Sequence, residues 1–450
     1  MGDDPPAGAA PRPRLLRSPA GALALLVLAC AFAQAWYAGT RWASIDFYQF
    51  WAVGRAAGES AGLDPYSAAA RAELGARFLR EAQARVPPQD AHVKAARERV
   101  VLETYSTPWL YTLFGAAASG DYAADMLRFQ RASTILLALA VLAIALLAGL
   151  APPAAALMAA IALVWFMPTA SDLRVGNVNR VLLAALAAFL LIERAEKLPL
   201  RHALAGALLG MAVAFKPNLA FAALALAAGW SVAGRWAKLA QASAGMVAGA
   251  LGAVALSSVW FGTWRVWPAW AAEVPRLLSE FDHSLVKGNF GLSRLLEDWL
   301  GSSGGARLPV VFLGAIALAL VLSRGRRAAP GAAGEVREDL LLAGLGATAS
   351  LLAAQLAWIH YFLLALPLVV YLVASSDPAS LWAGVAALAM LALEPWVDLF
   401  GFAVTDPPGP LLLTGGALLA FAAGLREVLL AARRPTCEPS GVRVPLRGES

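Results

Sequence analysis

Long apolar runs alternate with short polar ones through most of this chain. A helix that crosses a bilayer needs about 20 consecutive, mostly apolar residues. By that measure the pattern predicts helices near 19–39, 127–149, 153–169, 178–193, 202–216, 217–232, 239–260, 308–323, 339–358, 360–375, 379–396 and 410–430. Twelve such helices make an all-α polytopic membrane protein with both termini on one side. The Arg/Lys clusters test that count, because basic residues gather in cytoplasmic segments. Arg12, Arg14 and Arg17; Arg194, Lys197 and Arg201; Arg235 and Lys238; Arg324, Arg326 and Arg327; and Arg433 and Arg434 all fall on one side. The expected location is therefore the cell inner (plasma) membrane, with both termini cytoplasmic.

This topology leaves two large external segments, 41–125 and 261–307. In the first, Ala68 to Glu103 is rich in Ala, Arg and Glu and reads as one or two amphipathic surface helices. Thr107 to Ala118 is apolar but too short to span, and reads as a juxtamembrane helix. The second carries Trp264, Trp267 and Trp270, which suit a membrane–water boundary. The domain reading is a tail at 1–18, a transmembrane domain at 19–434 and a tail at 435–450. The outer parts of both tails are Pro/Gly-rich or polar and read as disordered. The run from Ala20 to Ala35 follows three arginines, as a signal peptide would. It continues into Trp36 and Tyr37 and is followed by further spans, so it reads as a retained helix.

Composition agrees with a bilayer as solvent: 60% of the 450 residues are hydrophobic, 15% are charged, and mean hydropathy is +0.64. The net charge of +6 sits in short clusters between apolar runs, so it reads as topology and not as a nucleic-acid face. Cys30 and Cys437 lie in the first apolar run and the tail and imply no disulfide framework. No Cys- or His-rich metal motif, Walker A sequence, HExxH or GxSxG elbow is present.

Polar residues at membrane depth are costly and mark function. Asp46, Arg174, Asn177, Asn179, Lys216, His283, Lys287 and His360 all map to the external side or to external helix ends, which points to one external site. Asp46 reads as a general base or as the N-cap of a helix over 47–57. Lys216, in AFKPN, reads as a phosphate partner or as a snorkelling lysine. The turn SDLRVGNVNR opens a helix whose free N–H groups attract phosphate; Arg174 reads as a phosphate partner or as the ion-pair partner of Asp172. His283 and Lys287 lie in FDHSLVKGNFG, and His360 starts an apolar helix; each His alone also reads as structural.

Six segments, in order, resemble the integral-membrane GT-C glycosyltransferases, and among them glycosyltransferase family 87. They are DFYQFWAVGRAAGESAGLDPY from Asp46, YSTPWLYTLFG from Tyr105, GNVNRVLLAAL, AGALLGMAVAFKPN, HSLVKGNFGLSRLL and WIHYFLLALP. DHS stands where many relatives have Asn-Gln-Ser, and GNVN where Gly-Gln is commoner. The resemblance implies a GT-C-type fold of about 12 spans with a long first external loop. It implies transfer of a sugar, mannose first and arabinofuranose second, from a polyprenyl-phosphate donor to a glycolipid or glycan acceptor. Asp46 would be the base, and His360 would position or assist proton movement. Lys216, Arg174, Asn177, Asn179, His283, Lys287 and Tyr48 would bind donor phosphate or substrate. No cofactor and no metal are implied. A lipid or sugar transporter is the alternative from another class, which twelve broken helices would also suit.

Overall fold

The computed structural model describes residues 18–280, 288–301, 304–324, 332–392, 394–401, 403–406 and 408–431. The expectations for both tails, for Arg12, Arg14, Arg17, Arg326, Arg327, Arg433 and Arg434, for Cys437, and for His283 and Lys287 lie outside the described residues.

Among the described residues the chain is helical, with one isolated bridge between Asn289 and Trp358. Helix α1 (Pro19–Ala38) leads into four shorter helices: α2 (Ile45–Glu59), α3 (Ala68–Ala84), α4 (Asp90–Glu98) and α5 (Pro108–Ala117). A bundle follows with α6 (Tyr122–Ala148), α7 (Pro152–Val164), α8 (Met167–Val175), α9 (Asn179–Arg194), α10 (Arg201–Phe215), α11 (Ala220–Val232) and α12 (Trp236–Trp260). Two lateral helices, α13 (Val266–Glu280) and α14 (Leu292–Leu300), precede α15 (Leu308–Ser323) and α16 (Ala332–Ala353). A tight 3-10 turn at Ile359–Ala365 opens into α17 (Leu366–Val373), and α18 (Pro378–Leu391), α19 (Glu394–Phe400) and α20 (Pro408–Ala431) complete the chain.

Local chemistry sets these starts. Ser18, Ser67, Thr107, Asp121 and Asp377 each accept a backbone N–H at a helix N-cap. Pro19, Pro108, Pro152 and Pro378 sit in the first turns, where a missing N–H costs nothing.

Every predicted apolar run falls on helix, with four differences in shape. The run 153–169 is two helices bent by 51°, because Pro168 opens α8 and cannot continue α7. The run 339–358 starts earlier and stops at Ala353, where Asn289 takes over the next backbone groups: its Oδ1 accepts the Ala357 N–H at 2.8 Å and its Nδ2 donates to the Gln355 carbonyl at 2.9 Å. The run 360–375 begins as a 3-10 turn, and 379–396 breaks after Leu391. By length and apolarity α1, α6, α12 and α20 qualify as membrane spans, and the bent pair α7–α8 makes a fifth. The remaining apolar helices are shorter. The apolar helices make this a membrane protein.

Two glycine seams fix the frame. Gly206 and Gly210 of α10 lie against the Ala242 and Met246 carbonyls of α12, while Gly245 and Gly249 lie against Ala203 and Ala207 of α10. The register rises together on both helices, so α10 and α12 run parallel and α11 returns between them. Small residues permit that approach, as in membrane helix pairs generally. In the second seam Gly54 of α2 and Gly115 of α5 meet backbone to backbone, and a Cβ on either has no room. Helix α5 is thereby packed into the fold: Trp109, Leu110, Tyr111 and Thr112 are buried, so it is more than an interfacial helix.

Candidate active site

Four stretches converge at one end of the bundle: the start of α2, the α8–α9 turn, the α10–α11 break and the 3-10 turn before α17. Asp46 lies in the first turn of α2 and is not its N-cap; that position is Ser44, held in the left-handed region at φ 54°. The α8–α9 turn reaches Asp46 because residue 176 is glycine. Gly176 has φ 70°, and a Cβ there would meet Ser44 Cβ at 2.7 Å and Phe47 Cβ at 2.9 Å. The adjacent Asn177 then donates from Nδ2 to Asp46 Oδ2 at 2.6 Å.

Behind this contact lies a buried polar lattice. Asn177 Oδ1 accepts from the Val178 N–H at 2.8 Å and from Lys216 Nζ at 3.0 Å, and Lys216 also donates to Asn179 Oδ1 at 3.2 Å. Asn179 donates from Nδ2 to Asp172 Oδ2 at 3.0 Å. Asp172 pairs with Arg180 Nε at 2.7 Å, both side chains being fully buried. Arg180 continues to Gln130 Oε1 at 2.8 Å, and Gln130 Nε2 returns to Ser44 Oγ at 2.8 Å. The ring closes on the residue that starts α2. Buried ions hold only with such full pairing.

The expected pairing of Asp172 with Arg174 is not found. Residues two apart on a helix point to different sides, whereas the turn at Gly176 brings Arg180 over Asp172. Arg174 is exposed at the end of α8, close enough for its charge to act on His360. The expected free N–H groups at the start of α9 are also taken: Val178 N–H goes to Asn177 Oδ1, and Asn179 N–H to Asp172 Oδ2 at 3.3 Å. The helix start is already satisfied by side chains, leaving Lys216 and Arg174 as the cations of this wall.

Lys216 sits where Pro217 breaks α10 from α11, with its Nζ 4.1 Å from the centre of the Tyr361 ring. Thr107 Oγ1 donates to the Phe215 carbonyl at 2.9 Å and secures that break from α5. His360 is buried, with Nε2 3.9 Å from Asp46 Oδ2 and no hydrogen-bond partner among the described residues. The distance is too long for a direct bond.

Tyr48 goes elsewhere. Its ring packs with Trp51, His92 and Tyr122 on the far side of α2, and burial pushes its phenol well up. Burial also takes the His92 imidazole down to about 4. Asp46, Asn177, Asn179, Lys216 and His360 are therefore together, Arg174 is at the rim, and Tyr48 is apart.

Two residues that sequence reasoning passed over complete the surroundings of Asp46. Arg99 Nη2 is 3.5 Å from Asp46 Oδ1, and Arg99 Nη1 pairs with Glu103 Oε1 at 2.9 Å. In the sequence they look like any charged pair four apart beside a surface helix. Among the described residues no three His, Cys, Asp or Glu side chains converge as metal ligands would.

The fold and this pocket define a membrane protein with a part-open carboxylate set among buried cations and amides at one end of a helical bundle. Residues 107–354, more than half of the chain, match the model of glycosyltransferase family 87. The chain belongs to that family and is a glycosyltransferase. No curated protein and no solved structure matches it. Asn177, Asn179 and Lys216 lie inside the matched stretch, whereas Asp46, Arg99, Glu103 and His360 lie outside it.

Proposed function

We propose that this glycosyltransferase moves a sugar, mannose first, from a polyprenyl-phosphate donor to a hydroxyl of a glycolipid or glycan, with inversion. The pocket faces outward from the cell membrane and both termini are cytoplasmic, in keeping with the placement of the Arg/Lys clusters. Asp46 takes the acceptor hydroxyl proton as the oxygen attacks the anomeric carbon. The bond from that carbon to the phosphate oxygen breaks, and polyprenyl phosphate leaves. Lys216 and Arg174 balance the charge that gathers on the leaving phosphate. Asn177 orients the base through Asp46 Oδ2. His360, with Nε2 3.9 Å from Asp46 Oδ2, positions substrate or assists proton movement.

The observation that carries this reading is the state of Asp46. Its side chain is 15% exposed, firmly bonded on one oxygen only, and within the field of Lys216. A carboxylate serving structure alone would be paired out, as Asp172 is.

The test is transfer by the purified protein from polyprenyl-phosphate mannose to an alkyl mannoside. Product and free polyprenyl phosphate should appear in equal amounts. Asp46→Asn should slow transfer about 10²–10⁴-fold with donor binding retained. Transfer at the native rate by D46N would remove Asp46 from the role of base.

A further inference from the structure

The two oxygens of Asp46 face different walls. Oδ2 faces Asn177 and His360, on the side that holds Lys216 and Arg174. Oδ1 faces Arg99, which in turn holds Glu103. The first wall presents cations and amides. The second presents the Arg99 guanidinium between two carboxylates, with the Arg71 charge also acting on Glu103.

The second wall is built, not incidental. Residues 99–103 form a bent, non-helical link between α4 and α5, tied at three points. Gly75 of α3 has no Cβ, which leaves room for the Val100 carbonyl against the helix. The Leu102 N–H reaches the Arg71 carbonyl at 3.4 Å. The Glu103 N–H donates to Gln49 Oε1 at 2.5 Å, and Gln49 stands three residues after Asp46 on α2. The helix that carries the base thus also carries the anchor of Glu103.

A second carboxylate here is costly. Burial pushes the Glu103 carboxyl up, Arg99 pulls it back, the Asp46 charge raises it further, and the Arg71 charge lowers it. Yet its side chain remains 28% exposed, against 17% for Arg99 and 15% for Asp46, so it is the most accessible of the three. A carboxylate is a hydrogen-bond acceptor. It suits hydroxyl groups and repels phosphates.

We infer that Arg99 and Glu103 form the acceptor wall of the pocket, Arg99 positioning the Asp46 carboxylate and Glu103 accepting a hydrogen bond from a hydroxyl adjacent to the reacting one on an uncharged sugar. This rests on the reading of Asp46 as base. It adds the class of acceptor, neutral at the reacting residue, and a reason for the donor phosphate to seat on the Lys216 side.

The experiment measures kcat, KM for an alkyl mannoside acceptor, and KM for polyprenyl-phosphate mannose. E103Q should raise the acceptor KM about tenfold or more, with kcat and donor KM within about threefold. It should also narrow the preference for the neutral acceptor over the same mannoside carrying a 6-phosphate. R99Q should lower kcat, because the Asp46 carboxylate loses the guanidinium 3.5 Å from its Oδ1 that positions it; R99K should restore part of the loss. If E103Q fails to fold, E103D, which keeps the charge and withdraws it, carries the same expectation for acceptor KM. The inference is overturned if the Glu103 variants keep native acceptor KM, if E103Q raises donor KM instead, or if R99Q keeps native kcat. In those cases an inactive D46N leaves the base in place, whereas an active D46N removes the base itself.

Discussion

Buried ions gather at both ends of α10, some 20 Å apart along its 15 residues. At the far end Lys238 is sandwiched between Asp339 at 2.6 Å and Glu193 at 3.0 Å. Trp230 donates to Asp339 at 2.7 Å, and His202 meets Glu193 at 2.8 Å. Five helices are tied together there, with Glu193 Oε1 left without a hydrogen-bond partner. At the Asp46 end the lattice from Asp172 to Lys216 is as tightly paired, but its last member has contacts of 3.5 Å to Arg99 and 3.9 Å to His360. The difference lies in access: the Asp46 side chain is 15% exposed, whereas Glu193 is 1% exposed and Asp339 not at all. An unfinished pairing sealed inside a helical bundle serves structure, and one that a substrate group can reach marks a site.

That contrast can be broken most decisively at Asp46. D46N should remove transfer by the factor given above while leaving thermal stability within about 1 kcal/mol. Lys238→Met should do the reverse. It strands two buried carboxylates and should cost about 3–5 kcal/mol of stability, read by thermal unfolding in detergent, while the surviving folded protein keeps its acceptor KM and pH profile. A native-like Tm for K238M would show the far end to be no clamp.

Gly176→Ala joins the two properties. Its φ of 70° and the two Cβ contacts predict a loss of about 2–4 kcal/mol. Transfer should also slow, because the α8–α9 turn lifts Asn177 from Asp46. Unchanged turnover in G176A would mean that the contact does not set the base.

The smallest effect belongs to His92, behind α2. The unfolded chain takes up its proton near pH 6.5, but the folded chain only near 4. The folded state therefore loses stability as pH falls through that interval, by about 1 kcal/mol between pH 7 and 5.5. Protease cleavage within α3 and α4 should rise over this range and stay flat in His92→Phe.

The apolar helices were legible in the sequence because a bilayer demands long apolar runs. Their interruptions were harder to place: Pro168 sits inside a continuous apolar stretch, and the stop at Ala353 is imposed by Asn289, more than sixty residues upstream. Asp46, Asn177, Asn179, Lys216 and His360 were readable as a set, since each is a polar residue at an apolar helix end. Arg99 and Glu103 were not. They lie in a charged stretch with Arg97 and Glu98, and only the packing of Gly75 and Gln49 singles them out. Tyr48 shows the converse error. Its neighbourhood in the chain suggested the pocket, but helical rotation sends it to the other side.

The contact between Ser44 and Gly176, and the closing position of His360, carry a consequence for biogenesis. Asp46 emerges more than three hundred residues before His360, which at about 5–20 residues per second is tens of seconds of synthesis. Asp172 and Arg180, by contrast, are made almost together and can neutralise each other early. The inner lattice can therefore be in place, with Gly176 docked, while the wall that His360 supplies has still to be synthesised.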